Sequence, residues 1–494
     1  MNDDVHAYTR EAIGLVQQGR LTEAVSLFEQ VIRLEPQYAH GHNNLAMVFL
    51  LQHRYDEAFA SAERAIPLDP QLAEPHATLS AIYLRRNQVE EALASSRLAL
   101  RLNPKLPEAY FHQARAYLKN GQFAEAIDVC RKVLRFKPDY IDVEYVLGIA
   151  AMKENRLEDA LDSLSTLLRK NPRDAQAHVN RALIWLLQGN YEEGWPEYEW
   201  RWRGHNFVTK PMWDGSPLDG KKIVLHAEQG LGDTLQYVRY ALLVKQRAAR
   251  PSDVTVTVAC QESLHKLLSR CAGIDELVAP TSFAWPADEH ALLMSLPAIL
   301  KTTVATIPAG VPYVFPDPAL VDSWRGEIRA APGFKIGIAW QGSPQHPDDR
   351  LRSIPLAEFA PLREVSGIHW FSLQKGPGKD QLAGAPFDVV DLSPRLDETA
   401  GAFMDTAAVM MSLDLVITSD TAIPHLAGGL GVPVWLALQA VPDFRWLLER
   451  TDSPWYPSMR LFRQSRRGDW QEVFEQMARE LTSYAAERKN LLRD

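Results

Sequence analysis

Two patterns of apolar and polar positions divide this chain. Along the first 203 residues the pattern is a long repeat; beyond them short apolar runs alternate with helical stretches. Pro36, Pro70, Pro104, Pro138 and Pro172 stand 34 residues apart, and Ala24, Ala58, Ala92, Ala126 and Ala160 keep the same step. Gly19, Asn87, Gly121, Asn155 and Gly189 fall in register too, with His53 the exception. Such a period predicts two antiparallel helices per unit. The alanines mark close helix crossings. Gly and Asn tolerate the left-handed conformation that ends a first helix, and each proline ends a second one. One unit cannot bury its apolar face alone, so the units must stack. At the sixth unit the pattern decays: Gly194 stands where alanine is due, within "YEEGWPEYEWRWRGHNF", which reads as an aromatic capping segment docked on the next domain.

After the linker "TKPMWDGSPLDGKK" the alternation of runs predicts parallel sheets. "KIVLHAE", "DVTVTVA" and "ALLMSLP" form a first half. The proline-rich crossing "IPAGVPYVFPDP" leads to a second half made of "FKIGIAWQGS", "IHWFSLQ", "FDVVDL", "DLVITSD" and "VPVWLAL". The closing stretch from Asp469 to Leu492 is an amphipathic helix pattern. Two Rossmann-like halves facing a cleft fit this order, with ligands at the carboxyl ends of the strands. The domain reading is 1–203 for an all-α solenoid with its cap, 204–330 for the first α/β half and 331–494 for the second.

Three loops would converge on such a cleft. In "QGLGDT", Gly230 and Gly232 allow close backbone approach, and Asp233 is either an N-cap or a chemical group facing the cleft. In "SDTAIPHLAGGLGVPVW", Ser419, Asp420 and Thr421 end a strand before a helix, and Thr421 and His425 share a helical face. A helix start with hydroxyls and free N–H groups suits an anion; plain capping by Ser419 or Asp420 is the alternative. "WQGSPQHPDDRLRSIPL" carries Ser343, Arg350 and Arg352. An arginine fork suits a diphosphate, while self-pairing of "DDR" in solvent is the alternative. Lys375 in "SLQKGPG" sits at another strand end. His226 and Glu228 lie near Asp233 as rival bases or polar wall residues.

Composition narrows the classes. A net charge of -9 argues against nucleic acid as the main partner. Cys130, Cys260 and Cys271 form no C-x-x-C pair, so neither a zinc site nor a disulfide framework is indicated. No apolar run is long enough to span a bilayer, and the polar start "MNDDVHAYTR" lacks a signal-peptide core. The expectation is a cytoplasmic protein without stable membrane insertion, its oligomeric state open.

The repeat region resembles tetratricopeptide repeats. The α/β region, from Lys221 onward, resembles inverting glycosyltransferases of the GT-B fold, above all glycosyltransferase family 9, the lipopolysaccharide heptosyltransferases. It is also similar to bacterial tetratricopeptide-fused transferases that modify proteins, a theme shared with the O-GlcNAc transferases. The elements that carry the resemblance are G-D-x-L at Gly232–Leu235 and D-T-x-x-x-H-L-A at Asp420–Ala427. It implies that Asp233 is the catalytic base, and that Asp420, Thr421 and His425 bind the nucleotide diphosphate. Arg352, in "RSIP", takes the place of the family's lysine, and Ala422 that of the glycine in D-T-G. Gly230, Gly232, Ser343, Lys375 and Ser419 complete the implied nucleotide-sugar site. No metal and no cofactor are expected, the nucleotide-diphosphate sugar being a substrate. The asparagine ladder of the animal O-GlcNAc transferases is not kept: its positions read Arg10, Asn44, Thr78, His112, Val146 and Asn180.

The function implied is a metal-independent inverting glycosyltransferase. It moves a sugar from a nucleotide sugar to a protein or peptide held by the repeat groove. The alternatives are transfer to lipopolysaccharide or another glycan, and a non-catalytic repeat scaffold with a degenerate core. Neither the sugar and its base nor the acceptor is legible.

Overall fold

The computed structural model describes residues 3–203, 212–280 and 286–491. Residues 204–207 of the aromatic segment and 209–211 of the linker lie outside the described residues. The chain divides into two compact units, Met1–Arg181 and Ala182–Asp494.

The first unit is a stack of helix pairs. First helices are α1 (Asp3–Gln17), α3 (Ala39–Leu51), α5 (Glu74–Arg85), α7 (Pro107–Lys119), α9 (Ile141–Lys153) and α11 (Ala175–Leu187). Second helices are α2 (Leu21–Leu34), α4 (Tyr55–Leu68), α6 (Val89–Leu102), α8 (Phe123–Phe136) and α10 (Leu157–Lys170). The five phased alanines, all on second helices, have no exposed surface, as close crossings require. Gly19, His53, Asn87, Gly121, Asn155 and Gly189 all adopt positive φ, between 57° and 79°. His53 therefore breaks the residue pattern and keeps the conformation, which His tolerates better than most side chains. Each second helix ends two residues before its proline, because the residue preceding a proline is pushed out of the helical region. First helices also pack on one another, α3 on α5, α5 on α7 and α7 on α9. They therefore line the inner side of the stack.

The second unit opens with the end of α11 and α12 (Tyr191–Tyr198). A Cβ on Gly194 would lie 2.7 Å from the Leu186 side chain, so this crossing is too close even for the alanine of the other repeats. The aromatic segment belongs to this unit. Trp195 meets Phe444 and Tyr237 edge-on at 5.7 and 6.5 Å.

Two parallel sheets follow. The first holds β1 (Lys222–His226), β2 (Thr255–Ala259), β3 (Glu276–Val278) and β4 (Glu289–Leu292), in the order β3-β2-β1-β4. The second holds β5 (Phe334–Ala339), β6 (Ile368–Ser372), β7 (Val389–Asp391), β8 (Leu415–Ser419), β9 (Val434–Leu438) and β10 (Met459–Arg463), in the order β10-β9-β8-β5-β6-β7. Every pairing in both is parallel. β8 and β9 are buried along their whole length, which is why they read as unbroken apolar runs. The helix Trp470–Leu491 covers the second sheet, with Phe474 and Met477 in one core with Ile336, Ile338 and Trp435. The run "ALLMSLP" is not one strand: β4 ends at Leu292 and short helices take over at Leu293.

Candidate functional site

Three of the predicted loops leave the carboxyl ends of parallel strands, after β1, β8 and β5. Helix α13 (Leu231–Tyr237) follows β1, and the helix Ala422–Leu430 follows β8; the two pack against each other. Gly232 makes the contact. A Cβ there would come within 3.0 Å of the His425 ring and 3.4 Å of the Ala422 Cα. Gly232 thus serves helix approach, and brings Asp233 next to the start of the second helix.

Asp233 is not the N-cap. It stands three residues inside, and its Oδ2 accepts from the Gly230 N–H at 2.9 Å, the return half of a capping box. Its other oxygen is paired with Arg445. Arg445 is nearly buried, with 8% of its side chain exposed. It also donates to Gln236 Oε1 at 2.6 Å and Asp443 Oδ1 at 2.8 Å. Burial opposes its charge, but Asp443, Tyr237 and Asp233 raise its pKa well above the usual arginine value. Two oxygens offer about four acceptor positions, so the Asp233 carboxylate still has room for an incoming hydroxyl.

The helix after β8 is capped by Thr421, whose hydroxyl accepts from the Ile423 N–H at 3.3 Å. Capping therefore falls to neither Ser419 nor Asp420. The Ser419 hydroxyl is buried with no partner among the described residues. Burial pushes the Asp420 carboxyl up to about 7; the negative charge of Asp443 adds to this, and Arg352 and Arg445 oppose it. His425 is held by Tyr456, Nδ1 to hydroxyl at 2.9 Å, and stacks on Trp446 with centroids 5.3 Å apart. Burial, with Arg445, Arg239 and Arg352 around it, holds His425 well below its ordinary pKa. That environment favours the neutral imidazole.

Arg352 ends the short helix Asp349–Arg352. A Cβ on Gly342 would lie 2.9 Å from Arg352 Nη2 and 3.3 Å from the Thr421 methyl, so the guanidinium stands beside the second helix start. Its Nε is buried without a partner among the described residues. A cation with a spare donor next to the unsatisfied N–H groups of a helix start can hold an anion.

The remaining sequence candidates are engaged elsewhere. Ser343 is exposed and its hydroxyl is bonded to Gln345. Lys375 donates to the Leu396 carbonyl at 2.6 Å and pairs with Glu398 at 3.0 Å. His226 Nε2 meets His290 Nδ1 at 2.9 Å, and burial, with His290, lowers its pKa to about 4. Glu228 takes both prongs of Arg201, at 2.7 and 3.1 Å. Burial raises its pKa and Arg201 opposes that rise. Burial also pushes all three cysteine thiols up to about 12, so none is poised as a nucleophile.

Sequence reasoning missed Arg445, Asp443, Trp446 and Tyr456. All lie in "DFRWLLERTDSPWYPSMRLF", whose aromatic density was the one signal available. Among the described residues no group of three or more His, Cys, Asp or Glu is placed to hold a metal ion. Nor is any helix of these residues long and apolar enough to cross a membrane.

Residues 9–73 and 79–141 match one tetratricopeptide repeat model and 117–184 another. The helical array is built of tetratricopeptide repeats. Protein FlbA of Caulobacter vibrioides is 27% identical over 349 residues, covering 64% of this chain and 56% of FlbA. The chain thus spans little more than half the length of that relative. The likeness covers more of this chain than the first unit does, so it runs into the α/β unit. Solved structures with likeness include a thermophilic tetratricopeptide protein of Thermus thermophilus, at 21% identity and a TM-score of 0.34, over 37% of this chain and 99% of that one. PilW, a type IV pilus biogenesis factor, has 20% identity and a TM-score of 0.37, over 42% and 94%. YrrB, a tetratricopeptide protein with an unusual peptide-binding site, has 22% and 0.27, over 34% and 88%.

Proposed function

We propose that the α/β unit is a GT-B glycosyltransferase, related to family 9, that moves a sugar from a nucleotide-diphosphate donor to a protein presented by the tetratricopeptide array. The observation that carries this reading is the meeting of α13 with the helix Ala422–Leu430 through Gly232 and His425. It joins a carboxylate on one sheet's side to an anion-binding helix start on the other's. In this reading Asp233 takes the proton of the acceptor hydroxyl as that oxygen attacks the anomeric carbon. Arg352 and the Thr421 helix start hold the leaving diphosphate. Arg445 and the Gly230 N–H hold the carboxylate in one orientation, and His425 presents a neutral ring fixed by Tyr456. One observation favours a second reading, a non-catalytic scaffold: Asp233 already carries a counter-ion in Arg445.

A thermal-shift series with UDP, GDP, ADP and CMP and their sugars separates the two. One nucleotide is expected to stabilise the native protein by mass action and to lose that effect in Arg352→Ala. If no nucleotide shifts the wild type, the donor site does not exist and the scaffold reading stands.

The raised pKa of Asp420 makes a second expectation. Its protonated form is favoured in the fold, so the stability it contributes is fully present below the unfolded value, 3.8, and is lost as pH rises through about 7. Binding follows the same direction, because a protonated carboxyl can donate to a phosphate oxygen and an ionised one repels it. Nucleotide affinity measured by calorimetry should fall between about pH 6 and about pH 8, and Asp420→Asn should flatten that slope. An unchanged slope in the variant would assign the titration to another group.

A further inference from the structure

We infer that the aromatic segment is a working part of the second unit's site and not only a cap: Arg201, acting through Glu228, and Tyr198, acting through Gln229, are positioning residues that fix the Asp233 carboxylate for proton transfer. Two groups hold that carboxylate, the Gly230 N–H and the Arg445 guanidinium. The aromatic segment braces the approach to each.

The first brace is polar. Ala227, Glu228, Gln229 and Gly230 join β1 to α13. Arg201, in the short turn Glu199–Trp202 after α12, grips both oxygens of Glu228, Nη2 on Oε1 at 2.7 Å and Nε on Oε2 at 3.1 Å. Gln229 Nε2 donates to the Tyr198 hydroxyl at 3.3 Å, and the Gln229 carbonyl accepts from Gln261 Nε2 at 2.9 Å. Both residues before Gly230 are therefore tied down, and Gly230 is the one whose N–H meets Asp233. The second brace is apolar. Phe444 packs on Trp195 and Tyr198, with centroids 5.7 and 5.9 Å apart, and Arg445 follows it directly in the chain. One segment thus reaches the loop that carries the Gly230 N–H and the turn that carries Arg445.

A cap that only covered a core would gain little from this arrangement. Arg201 has 8% of its side chain exposed and Glu228 15%, and the cost of desolvating such a pair offsets most of its attraction. What the pair supplies is direction. Two parallel bonds fix the plane of the Glu228 carboxylate and, with it, the path of the loop. The fork itself has one seat, because Nη1 donates to the Tyr198 carbonyl at 3.2 Å and to Glu199 at 2.7 Å, and Nη2 also donates to the Ser295 hydroxyl at 2.8 Å. A reacting group displaced by about 1 Å loses about 10²-fold in rate, so a loop held this firmly serves a base.

This inference rests on the transferase reading, and its test keeps the two apart. The full-length wild type is compared with R201K, Y198F, R201Q/E228Q, D233N and D233N/R201Q/E228Q. The paired change leaves no charge on either partner, and Y198F removes one hydroxyl under a packed ring, so Y198F carries the test if the paired change does not fold. The first measurement is hydrogen exchange, which needs no turnover. Amides of Glu228–Asp233 should exchange about tenfold faster or more in R201Q/E228Q, and less so in Y198F and in R201K, which keeps the charge without the fork. Amides of β8 and β9 should keep their wild-type rates. The second measurement is nucleotide release, with water as acceptor, from whichever of the UDP, GDP, ADP and CMP sugars stabilises the wild type. R201Q/E228Q should lower kcat by about 10- to 10²-fold with KM unchanged, and should add no further loss once Asp233 is Asn, because the residues act as one unit. An equal loss with and without Asp233, a wild-type rate or wild-type loop exchange in a folded variant, or exchange that rises alike across the unit overturns the inference and leaves the transferase standing. A wild type that neither binds nor turns over any of the sugars overturns the transferase, and the positioning role with it.

Discussion

In the proposed reaction, replacing Asp233 with Asn is expected to lower sugar transfer by about 10²- to 10⁴-fold, the usual loss for a general base, while the proposed nucleotide binding persists. The amide keeps the shape of the carboxylate and one oxygen for the Gly230 N–H, so the start of α13 should survive. It cannot take a proton. Its effect on the fold is smaller than its effect on turnover. Arg445 loses one of two carboxylates but keeps Asp443 and Gln236. With Asp233 about a fifth exposed, the cost is about 1–2 kcal/mol. The measurement is a progress curve of nucleoside diphosphate release with an acceptor protein, paired with calorimetry of the nucleotide. Full activity in the variant would remove Asp233 as base. Loss of nucleotide affinity together with activity would recast it as a structural partner of Arg445. Glu228 is a weak substitute in either case, since Arg201 already engages both its oxygens.

The parts of the molecule that were legible in the sequence are those set by local rules. Ala92 marks a helix crossing because each pair of helices is built from neighbouring residues, and the same crossing returns with the period. The strands β8 and β9 show themselves because burial on both faces leaves them almost wholly apolar. β10 escaped notice because two arginines break its short sequence, "MRLFR", and the first of them, Arg460, faces solvent. β3 has only three residues.

The candidate site divides the same way. Gly232, Asp233, Thr421 and His425 sit in short motifs at strand ends, so spacing marks them as candidates, and the family resemblance is what gives them roles beyond capping. Arg445 could not be found like that. Its partner Asp233 lies 212 residues earlier, and nothing in "DFR" distinguishes a guanidinium aimed at a carboxylate from one in water. Lys375 shows the converse. A basic residue at a strand end fits the anion pattern, yet the Leu396 carbonyl and Glu398 are what it meets. Sequence spacing gives the end of the strand and not the direction of a long flexible side chain.

Arg239→Ala should unfold the second unit at markedly lower urea, with a loss of about 3–5 kcal/mol, the range for emptying a large buried site and leaving buried acceptors without a donor. Arg239 is 7% exposed. It donates to the carbonyls of Gln236, Pro308 and Trp455, at 2.8, 3.2 and 2.7 Å, and to the Tyr313 hydroxyl at 2.8 Å. It lies over the rings of Tyr313 and Tyr456, each centroid 4.5 Å away. Burial opposes its charge, and Tyr313 and Tyr456 outweigh that and raise its pKa. One cation thus ties the turn after α13, the proline-rich crossing and the aromatic segment before β10. Alanine would orphan three carbonyls and leave a void among aromatic rings, and each effect is costly. The consequence reaches the site, because Tyr456 is what holds the His425 Nδ1. Gly428 faces the same ring, a Cβ there falling 2.3 Å from it, so the tyrosine has one seat. Nucleotide affinity of Arg239→Ala, measured well below its unfolding midpoint, should therefore fall as well. Arg239→Lys keeps the charge without the fork and should fall between the two proteins in both measurements. A wild-type midpoint in Arg239→Ala would mean that the aromatic segment is held by packing alone, and that His425 owes its position to Trp446 rather than to this cation.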